Sequence, residues 1–193
     1  MSRSEIFCSV DIETDGPCAG IHSMLSIGVY SFDIYGKEHG TFYKTLYPIE
    51  DFIEDPDTMK WWSTQTEAWN EVIKNRTHPA SAMYMLDDYL NSLPGKPIFV
   101  GYPLGFDFPF VIYYLTKYVG MCRFGFSGID MKSYAMAALS KTKFSTTTKK
   151  TFPNHWIPKA KHTHIALDDA IEQGKLFYNM YTEVTEYKTG PII

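Results

Sequence analysis

The stretch that decides the fold is Phe7-Cys-Ser-Val-Asp-Ile-Glu-Thr-Asp-Gly-Pro17. It is apolar and β-prone through Val10, and it then places Asp11, Glu13 and Asp15 at alternate positions before a Gly-Pro pair ends the run. Because side chains alternate along a strand, these carboxylates are expected on one face. Three anions at the end of a buried strand repel one another, so a cation should compensate them. Oxygen ligands without nearby Cys or His favour a hard ion such as Mg²⁺ or Mn²⁺.

Two other interpretations of this stretch stay open at this point. The order Asp-x-Glu-x-Asp-Gly imitates the first half of an EF-hand calcium loop, but such a loop needs a preceding helix and a Glu at its twelfth position, where this chain has His22. The acids are equally compatible with an ordinary strand end followed by a turn. Other parts of the chain must therefore decide between them.

Composition limits the classes of protein to which the chain can belong. Its 193 residues, 45% apolar and 16% aromatic, predict one domain over 1–193 with ample core material. The net charge of -4 argues against coating nucleic acid by bulk charge, although a local basic strip is compatible with it. Three unclustered cysteines suggest neither a disulfide framework nor a zinc site, so a reducing cytoplasm is expected. No apolar run approaches membrane-spanning length, so no membrane partner and no export are expected.

Hydrophobic periodicity and turn residues predict the remaining elements. They are strands over 24–32 and 41–47, a helix from Asp55 through Trp69, a helix from Pro79 to Pro94, a strand over 97–100, a helix over 108–119, a strand over 124–129, and helices over 133–139 and 165–184. Residues 140–163 lose periodicity and predict a long loop. A strand meander followed by alternating helices and strands predicts an α/β fold with a mixed five-stranded sheet flanked by helices.

Three more candidate residues stand where helices begin. Asp107 follows a short strand and precedes a helix, where an N-cap is the simpler explanation for it alone. His164 and Asp169 open the last helix, and each alone fits a surface histidine or a first-turn acid. His22, His78 and His162 carry no comparable indication. These positions gain meaning only in combination.

Taken together, the motifs resemble those of the DEDDh exonucleases. The shared features are Asp-x-Glu at the first strand end, Phe-Asp at a helix start and His-x-x-x-x-Asp near the C-terminus, and the resemblance spans Val10 to Phe177. It implies an RNase H-like fold and a 3'-5' exonuclease that hydrolyses phosphodiester bonds of single-stranded nucleic acid and releases nucleoside 5'-monophosphates. The pattern from Asp55 to Gln65 resembles small stand-alone exoribonucleases, which favours RNA over DNA.

Carried over by motif position, the resemblance implies a catalytic set of Asp11, Glu13, Asp107, His164 and Asp169. The four acids are expected to hold two divalent ions, Mg²⁺ or Mn²⁺, which roughly neutralise them. His164 is expected to act as the general base, since a pKa of about 6.5 leaves an imidazole largely neutral near pH 7. Many relatives carry His-Asn where this chain has Tyr102-Pro103, a departure that bears on substrate contacts more than on metal binding.

Substrate contacts are expected from a basic segment and from aromatic rings. Between Lys132 and Leu167 there are seven lysines and no acid, and Lys149 and Lys150 are the expected phosphate contacts. A solvated, mobile loop is an equally open explanation of the segment. Aromatic side chains offer stacking faces, and Thr14 is placed by the resemblance near the terminal nucleotide. The expected substrate-binding set is Ile12, Thr14, Phe106, Trp61, Trp62, Lys149 and Lys150.

Alternative functions compete with an exoribonuclease. A DNA exonuclease of the same type differs only in the polymer, and a non-catalytic nucleic-acid-binding domain would keep the fold without needing His164. A calcium-binding module would use the first acidic stretch alone. Many relatives pair into homodimers, so a homodimer is a further expectation, although no face is singled out for it.

Overall fold

The computed structural model describes residues 4–160 and 162–188. Its centre is a five-stranded sheet built from β1 (Glu5–Thr14), β2 (Met24–Phe32), β3 (Glu38–Thr45), β4 (Lys96–Gly101) and β5 (Gly128–Asp130). The strand order is β3-β2-β1-β4-β5. The first three strands are antiparallel neighbours, whereas β4 runs parallel to β1 and β5 runs parallel to β4. The predicted mixed sheet, with a meander followed by crossovers, is confirmed.

Within the described ranges, six helices accompany the sheet: α1 (Pro56–Trp62), α2 (Thr66–Val72), α3 (Pro79–Ser92), α4 (Leu104–Val119), α5 (Met131–Ala138) and α6 (Ala166–Lys188). The alternation of β1 divides four of them between two faces, whereas α1 and α2 pack against Leu25 of β2. Cys8 and Val10 pack in one core with α3 and α4, whereas Phe7 packs in a second core with α5 and α6. In the described part of the chain, no helix combines the length and apolarity that crossing a membrane requires.

Two glycines let α6 approach the sheet closely. A methyl group at Gly28 on β2 would collide with the backbone of Ala166 at the start of α6. One at Gly174 would lie 2.6 Å from the Tyr30 ring and 3.0 Å from the β-carbon of Ser9. The start of α6 therefore lies directly against β2, and β2 pairs with β1, the strand that contains Asp11 and Glu13.

One predicted helix and one predicted strand were wrong in extent for reasons that the structure shows. The helix expected from Asp55 through Trp69 is α1 and α2, because the hydroxyls of Ser63 and Thr64 donate to carbonyls of the preceding turn and end α1. The strand expected over 124–129 is reduced to β5, because Gly125 has a φ of 73° in a turn that precedes it.

Helix α4 begins earlier than predicted, and this changes the role of Asp107. The N–H of Leu104 donates to Oδ2 of Asp130, so the side chain that caps α4 comes from β5. The Asp130 Oδ1 also accepts the N–H of Ser133 and caps α5. Asp107 therefore lies within the first turn of α4, and the N-cap explanation for it was wrong.

The segment predicted as a long loop is irregular but packed. It contains two single 3₁₀ turns, Phe144–Thr146 and Lys149–Thr151. Phe152 and Trp156 are buried in the second core against α6, and the Trp156 indole N–H donates to Glu183. A fully solvated loop is therefore wrong for this part of the segment. Lys161, one of the seven lysines between Lys132 and Leu167, lies outside the described residues.

Candidate active site

The end of β1 directs two acids toward the start of α6. Val10 and Ile12 point into the core beneath α4, so Asp11 and Glu13 point to the opposite face. Asp169 stands in the first turn of α6, and ligand oxygens of Asp11, Glu13 and Asp169 lie within 4.8 Å of one another. The structure thus brings the first and last sequence motifs together.

Asp107 reaches the same end of β1 from α4. Its Oδ1 accepts the backbone N–H of Ile12 at 3.3 Å, and its side chain is buried. The carboxylate of Asp107 is near enough to Asp11 to raise that residue's pKa, although burial raises it more. All four acids predicted from the motifs therefore meet at one place.

Asp15, the third acid of the first stretch, does not join this cluster. The strand register shifts between Glu13 and Thr14, so the simple alternation ends before Asp15. Its Oδ1 instead accepts the N–H of Ser23 at 2.5 Å and ties the connection between β1 and β2. The expectation that three carboxylates share one face was wrong for Asp15. Because its carboxylate is hydrogen-bonded to the backbone of Ser23, Asp15 also counts against the calcium-loop interpretation.

Asp169 organises the residues that precede α6. Its Oδ1 accepts the N–H of Thr163 at 3.1 Å, and its Oδ2 accepts the N–H of His164 at 2.9 Å. These bonds hold His164 in the left-handed region, with a φ of 57°. The imidazole packs edge-on against Trp61, with ring centroids 4.9 Å apart. His164 therefore stands at the rim of the acidic cluster.

Two residues next to the cluster were missed by sequence reasoning. The Nδ1 of His162 lies 3.0 Å from Asp169 Oδ1 and 3.5 Å from Glu172 Oε2. Hydrogen bonds to these two carboxylates raise the pKa of His162 to about 9. Glu172 follows Asp169 by one helical turn, a spacing that could have indicated it. His162 belongs to an irregular segment in which no periodic signal exists.

Among the described residues, the cations His162 and Lys149 offset the charge of the acidic cluster only in part. Burial, followed by repulsion from neighbouring carboxylates, raises the pKa values of Asp11 and Glu13 well above their usual range. Burial also raises the pKa of Asp107 to about 8. Oxygen donors under mutual repulsion are the kind of set that a hard divalent cation stabilises. The residues present therefore fit Mg²⁺ or Mn²⁺.

We expect the metal-free protein to lose stability as pH rises from about 4 to about 8. Folding raises the pKa of the Asp107 carboxyl from its ordinary 3.8 to about 8, so the folded protein keeps a proton that the unfolded chain releases. The stabilisation from this proton is fully present below pH 3.8 and is lost as the pH rises to about 8. His162, whose pKa is raised to about 9, acts in the same direction. The free energy of unfolding in EDTA should fall by at least about 1 kcal/mol between pH 5 and pH 8.

Chemical denaturation at several pH values measures this change. Repeating the series with Mg²⁺ should flatten the dependence, because a bound cation favours the ionised carboxylates. Stability in EDTA that is constant or rises over this interval would contradict the prediction.

Three of the predicted substrate residues line one cavity beside the cluster. Thr14, Trp61 and Phe106 contribute to the wall of this cavity, which also includes Glu13 and has a volume of about 410 Å³. The Trp61 side chain is partly exposed, so its ring is accessible from the cavity. The cavity is mostly apolar where the aromatic rings lie and carries a carboxylate at the cluster end.

Two other predicted substrate contacts are corrected by burial. The Trp62 indole is 1% exposed and donates its Nε1–H to the carbonyl of Thr14 at 2.9 Å, so it cannot offer a face to a base. The side chain of Ile12 is 4% exposed in the core, so any substrate contact by this residue is limited to its backbone. Both residues support the site from beneath.

The two predicted phosphate-binding lysines differ in their surroundings. The Nζ of Lys149 lies 3.2 and 3.3 Å from the two carboxylate oxygens of Glu172 and 5.6 Å from the centroid of the Tyr102 ring. The Tyr102 ring in turn packs against Phe152, which anchors the segment in the core. Lys150 is exposed. Tyr102, which stands where many relatives have a different residue, therefore lies directly under Lys149.

Known proteins share sequence with this chain along most of its length. A family model described as the 3'-5' exoribonuclease Rv2179c-like domain matches residues 7–181. The 3'-5' DNA exonuclease Cap18 of Escherichia coli is 32% identical over 176 residues, which cover 90% of each protein.

Solved nucleases share the fold at low sequence identity. The nuclease domain of 3'hExo, a DEDDh family member bound to rAMP, has a TM-score of 0.67 at 12% identity, with 93% of each chain covered. Pop2p of S. pombe, in a form with Mg²⁺ and Mn²⁺ bound, has a TM-score of 0.66 at 16% identity and covers 99% of this chain and 86% of its own. Exonuclease I of E. coli in complex with a dT13 oligonucleotide has a TM-score of 0.64 at 14% identity, covering 96% of this chain and 43% of its own.

Proposed function

The chain belongs to the family of Rv2179c-like 3'-5' exoribonuclease domains and is a 3'-5' exonuclease of the DEDDh type. From this premise we propose that it uses two metal ions and a histidine base, and that it releases nucleoside 5'-monophosphates from single-stranded 3' ends. The observation that carries the proposal is the convergence of Asp11, Glu13 and Asp169 within 4.8 Å, with Asp107 buried beside them. Such a carboxylate set serves phosphodiester hydrolysis.

The proposed metal ligands are Asp11, Glu13, Asp107 and Asp169. Two divalent ions held there, Mg²⁺ or Mn²⁺, would activate water and stabilise the leaving 3' oxygen. The protein orients these ligands through its backbone, since Asp107 accepts the N–H of Ile12 and Asp169 accepts those of Thr163 and His164. The ligand geometry is therefore largely preset by β1, α4 and α6.

His164 is the proposed general base. Burial and the neighbouring His162 lower the pKa of its imidazole, which keeps it neutral and able to accept a proton from the attacking water near pH 7. Its ring lies at the rim of the cluster beside Trp61, and its backbone is held by Asp169. Neutrality and position together support this role.

The cavity lined by Thr14, Trp61 and Phe106 is the proposed site of the terminal nucleoside. Its aromatic walls suit the face of any base, so recognition there tolerates sequence. Lys149 and Lys150 are proposed to contact substrate phosphates, with Lys149 supported by Tyr102 and Glu172. A single strand would thus enter beside the basic segment and end in the cavity.

RNA is the preferred substrate in this proposal, and DNA is the second candidate. The family model is described as an exoribonuclease domain, which supports RNA, whereas the relative Cap18 is described as a DNA exonuclease, which supports DNA. Reading the 2'-hydroxyl requires donors or acceptors at the sugar, and the Glu13 end of the cavity offers a carboxylate acceptor.

The test is digestion of matched 5'-labelled RNA and DNA strands with Mg²⁺, Mn²⁺, Ca²⁺ or EDTA. We expect a metal-dependent ladder that shortens from the 3' end, faster on RNA, and absent in Asp11→Ala. A faster ladder on DNA would replace RNA by DNA in the proposal. Binding of either strand without any ladder would favour the non-catalytic binding domain.

The unit of function is proposed to be a single domain, because one family model spans residues 7–181. A homodimer stays a prediction. Phe126 and Met121, exposed by 95% and 50% beside β5, are apolar positions that a partner would cover. Light scattering at several protein concentrations measures whether the chain pairs.

Neutralising Lys149 and Lys150 together to Met should weaken substrate binding and reduce its dependence on salt. Removing one lysine–phosphate interaction lowers the slope of log affinity against log salt by about 0.7 for a single strand, so the slope of the double variant should fall by up to about 1.4. Fluorescence anisotropy in Ca²⁺, at several salt concentrations, measures the slope. Lys175→Met, at an exposed lysine farther along α6, is the matched control. An unchanged slope in the double variant would show that these two lysines do not contact substrate phosphates.

A further inference from the structure

A second group of ligand atoms lies beside the carboxylate cluster and has a different chemistry. His162, His164 and Asp169 each offer one ligand atom, and these atoms all lie within 4.8 Å of one another. Two imidazoles and one carboxylate suit a borderline-soft ion such as Zn²⁺, whereas Mg²⁺ prefers oxygen ligands alone. We propose that these three residues form a Zn²⁺ site that overlaps the carboxylate cluster at Asp169 and inhibits the nuclease; its inhibitory effect rests on the proposed function, but zinc binding does not.

The distances around His162 fit zinc coordination. Zinc lies about 2.0–2.1 Å from nitrogen and oxygen ligands, so two ligands at a tetrahedral angle stand about 3.4 Å apart. His162 Nδ1 is 3.0 Å from Asp169 Oδ1. An ion can therefore replace the proton between these atoms after a movement of a few tenths of an ångström.

The ligands are held in place before an ion arrives. Asp169 is 3% exposed, and its carboxylate is oriented by the backbone N–H groups of Thr163 and His164. The rings of His162 and His164 lie with their centroids 4.4 Å apart. The His162 side chain is 52% exposed, so an ion can reach the group from solvent.

A fourth ligand is available nearby. Glu172 Oε2 lies 3.5 Å from His162 Nδ1, close to the separation expected at a tetrahedral zinc ion. Lys149 holds both oxygens of Glu172 and competes for this carboxylate. Glu172 or a water would complete four coordination.

The zinc site and the carboxylate site share Asp169, so they cannot be occupied independently. Zinc would take the proposed base His164 and would draw Asp169 away from the proposed Mg²⁺ ligands. By thermodynamic reciprocity, Mg²⁺ must weaken zinc binding by the same factor. Zinc should therefore inhibit, and excess Mg²⁺ should relieve the inhibition.

Cobalt(II) is the probe, because its visible absorption is intense in four-coordinate sites that contain nitrogen and weak in six-coordinate oxygen sites. We expect the intense band in the full chain, in Asp11→Asn and in His155→Ala, which removes an exposed histidine paired with Glu183. The band should be lost in His162→Ala. One equivalent of Zn²⁺ should abolish it in the full chain, and zinc affinity should fall at least about 100-fold in His162→Ala.

A weak six-coordinate spectrum in the full chain would overturn the site, as would an intense band in a folded His162→Ala or His162→Asn protein. In assays at fixed Mg²⁺, zinc should slow the full chain at least about tenfold, and His162→Ala should resist zinc relative to its own zinc-free rate. Equal inhibition of both would overturn the inhibitory role. A cobalt band without nuclease activity in any metal would refute the proposed function and leave the zinc site standing.

Discussion

Asp11→Asn is expected to lower the exonuclease rate by at least about 10³-fold while stabilising the metal-free fold. Loss of this proposed metal ligand, which lies beside Glu13 and Asp169, should remove several kcal/mol of transition-state stabilisation, and about 4 kcal/mol corresponds to that factor. The amide has nearly the same shape as the carboxylate, so packing at the end of β1 is preserved. A lower exonuclease rate in this variant would therefore result from the missing negative charge and not from a cavity.

Stability should change in the opposite direction because Asp11 is held among like charges. Burial and the charges of Asp107, Glu13 and Asp169 all raise the pKa of Asp11, so its ionised form destabilises the folded state. Removing that charge should raise the melting temperature in EDTA, as expected for a residue retained for function.

The measurement pairs the melting temperature in EDTA with the 3'-end digestion rate in Mg²⁺. Asp88→Asn, an exposed acid on α3, is the matched control and should change neither. An Asp11→Asn protein with nearly full activity, or with a lower melting temperature in EDTA, would contradict the role assigned to this carboxylate.

His164→Ala is expected to lower the rate by about 10²–10⁴-fold with little change in Mg²⁺ affinity. The proposed carboxylate ligands should keep their geometry, because Asp169 accepts the backbone N–H of residue 164, which the substitution leaves in place. His164 has a φ of 57°, a region that alanine disfavours, so His164→Asn serves as a second variant that tolerates this conformation.

Single-turnover rates across pH separate a base from a structural residue. The pKa of His164 is lowered by burial and by His162, so the rate should rise with pH through a pKa below 6.5. Both variants should lack that rise. His155→Ala, a substitution at an exposed histidine, should keep it. An unchanged rate in the His164 variants would remove this residue from the mechanism, and weaker Mg²⁺ binding would assign it a structural role.

The sequence by itself determined the sheet and the motif residues. The apolar run through Val10, the meander that follows and the helical spacing of the last segment depend on neighbours within one element, so periodicity was enough to predict them. The acids of the DEDDh motifs were predicted by type and order. Asp11, Glu13, Asp107 and Asp169 do meet at the end of β1.

Only the tertiary structure decided which other side chains share the site. A register shift after Glu13 turned Asp15 away, and packing buried Trp62. His162 and Glu172 joined because an irregular segment folds back on the first turns of α6. These contacts link residues whose separation along the chain follows no period, so they depend on how β1, α1 and α6 pack and not on the preferences of any one segment.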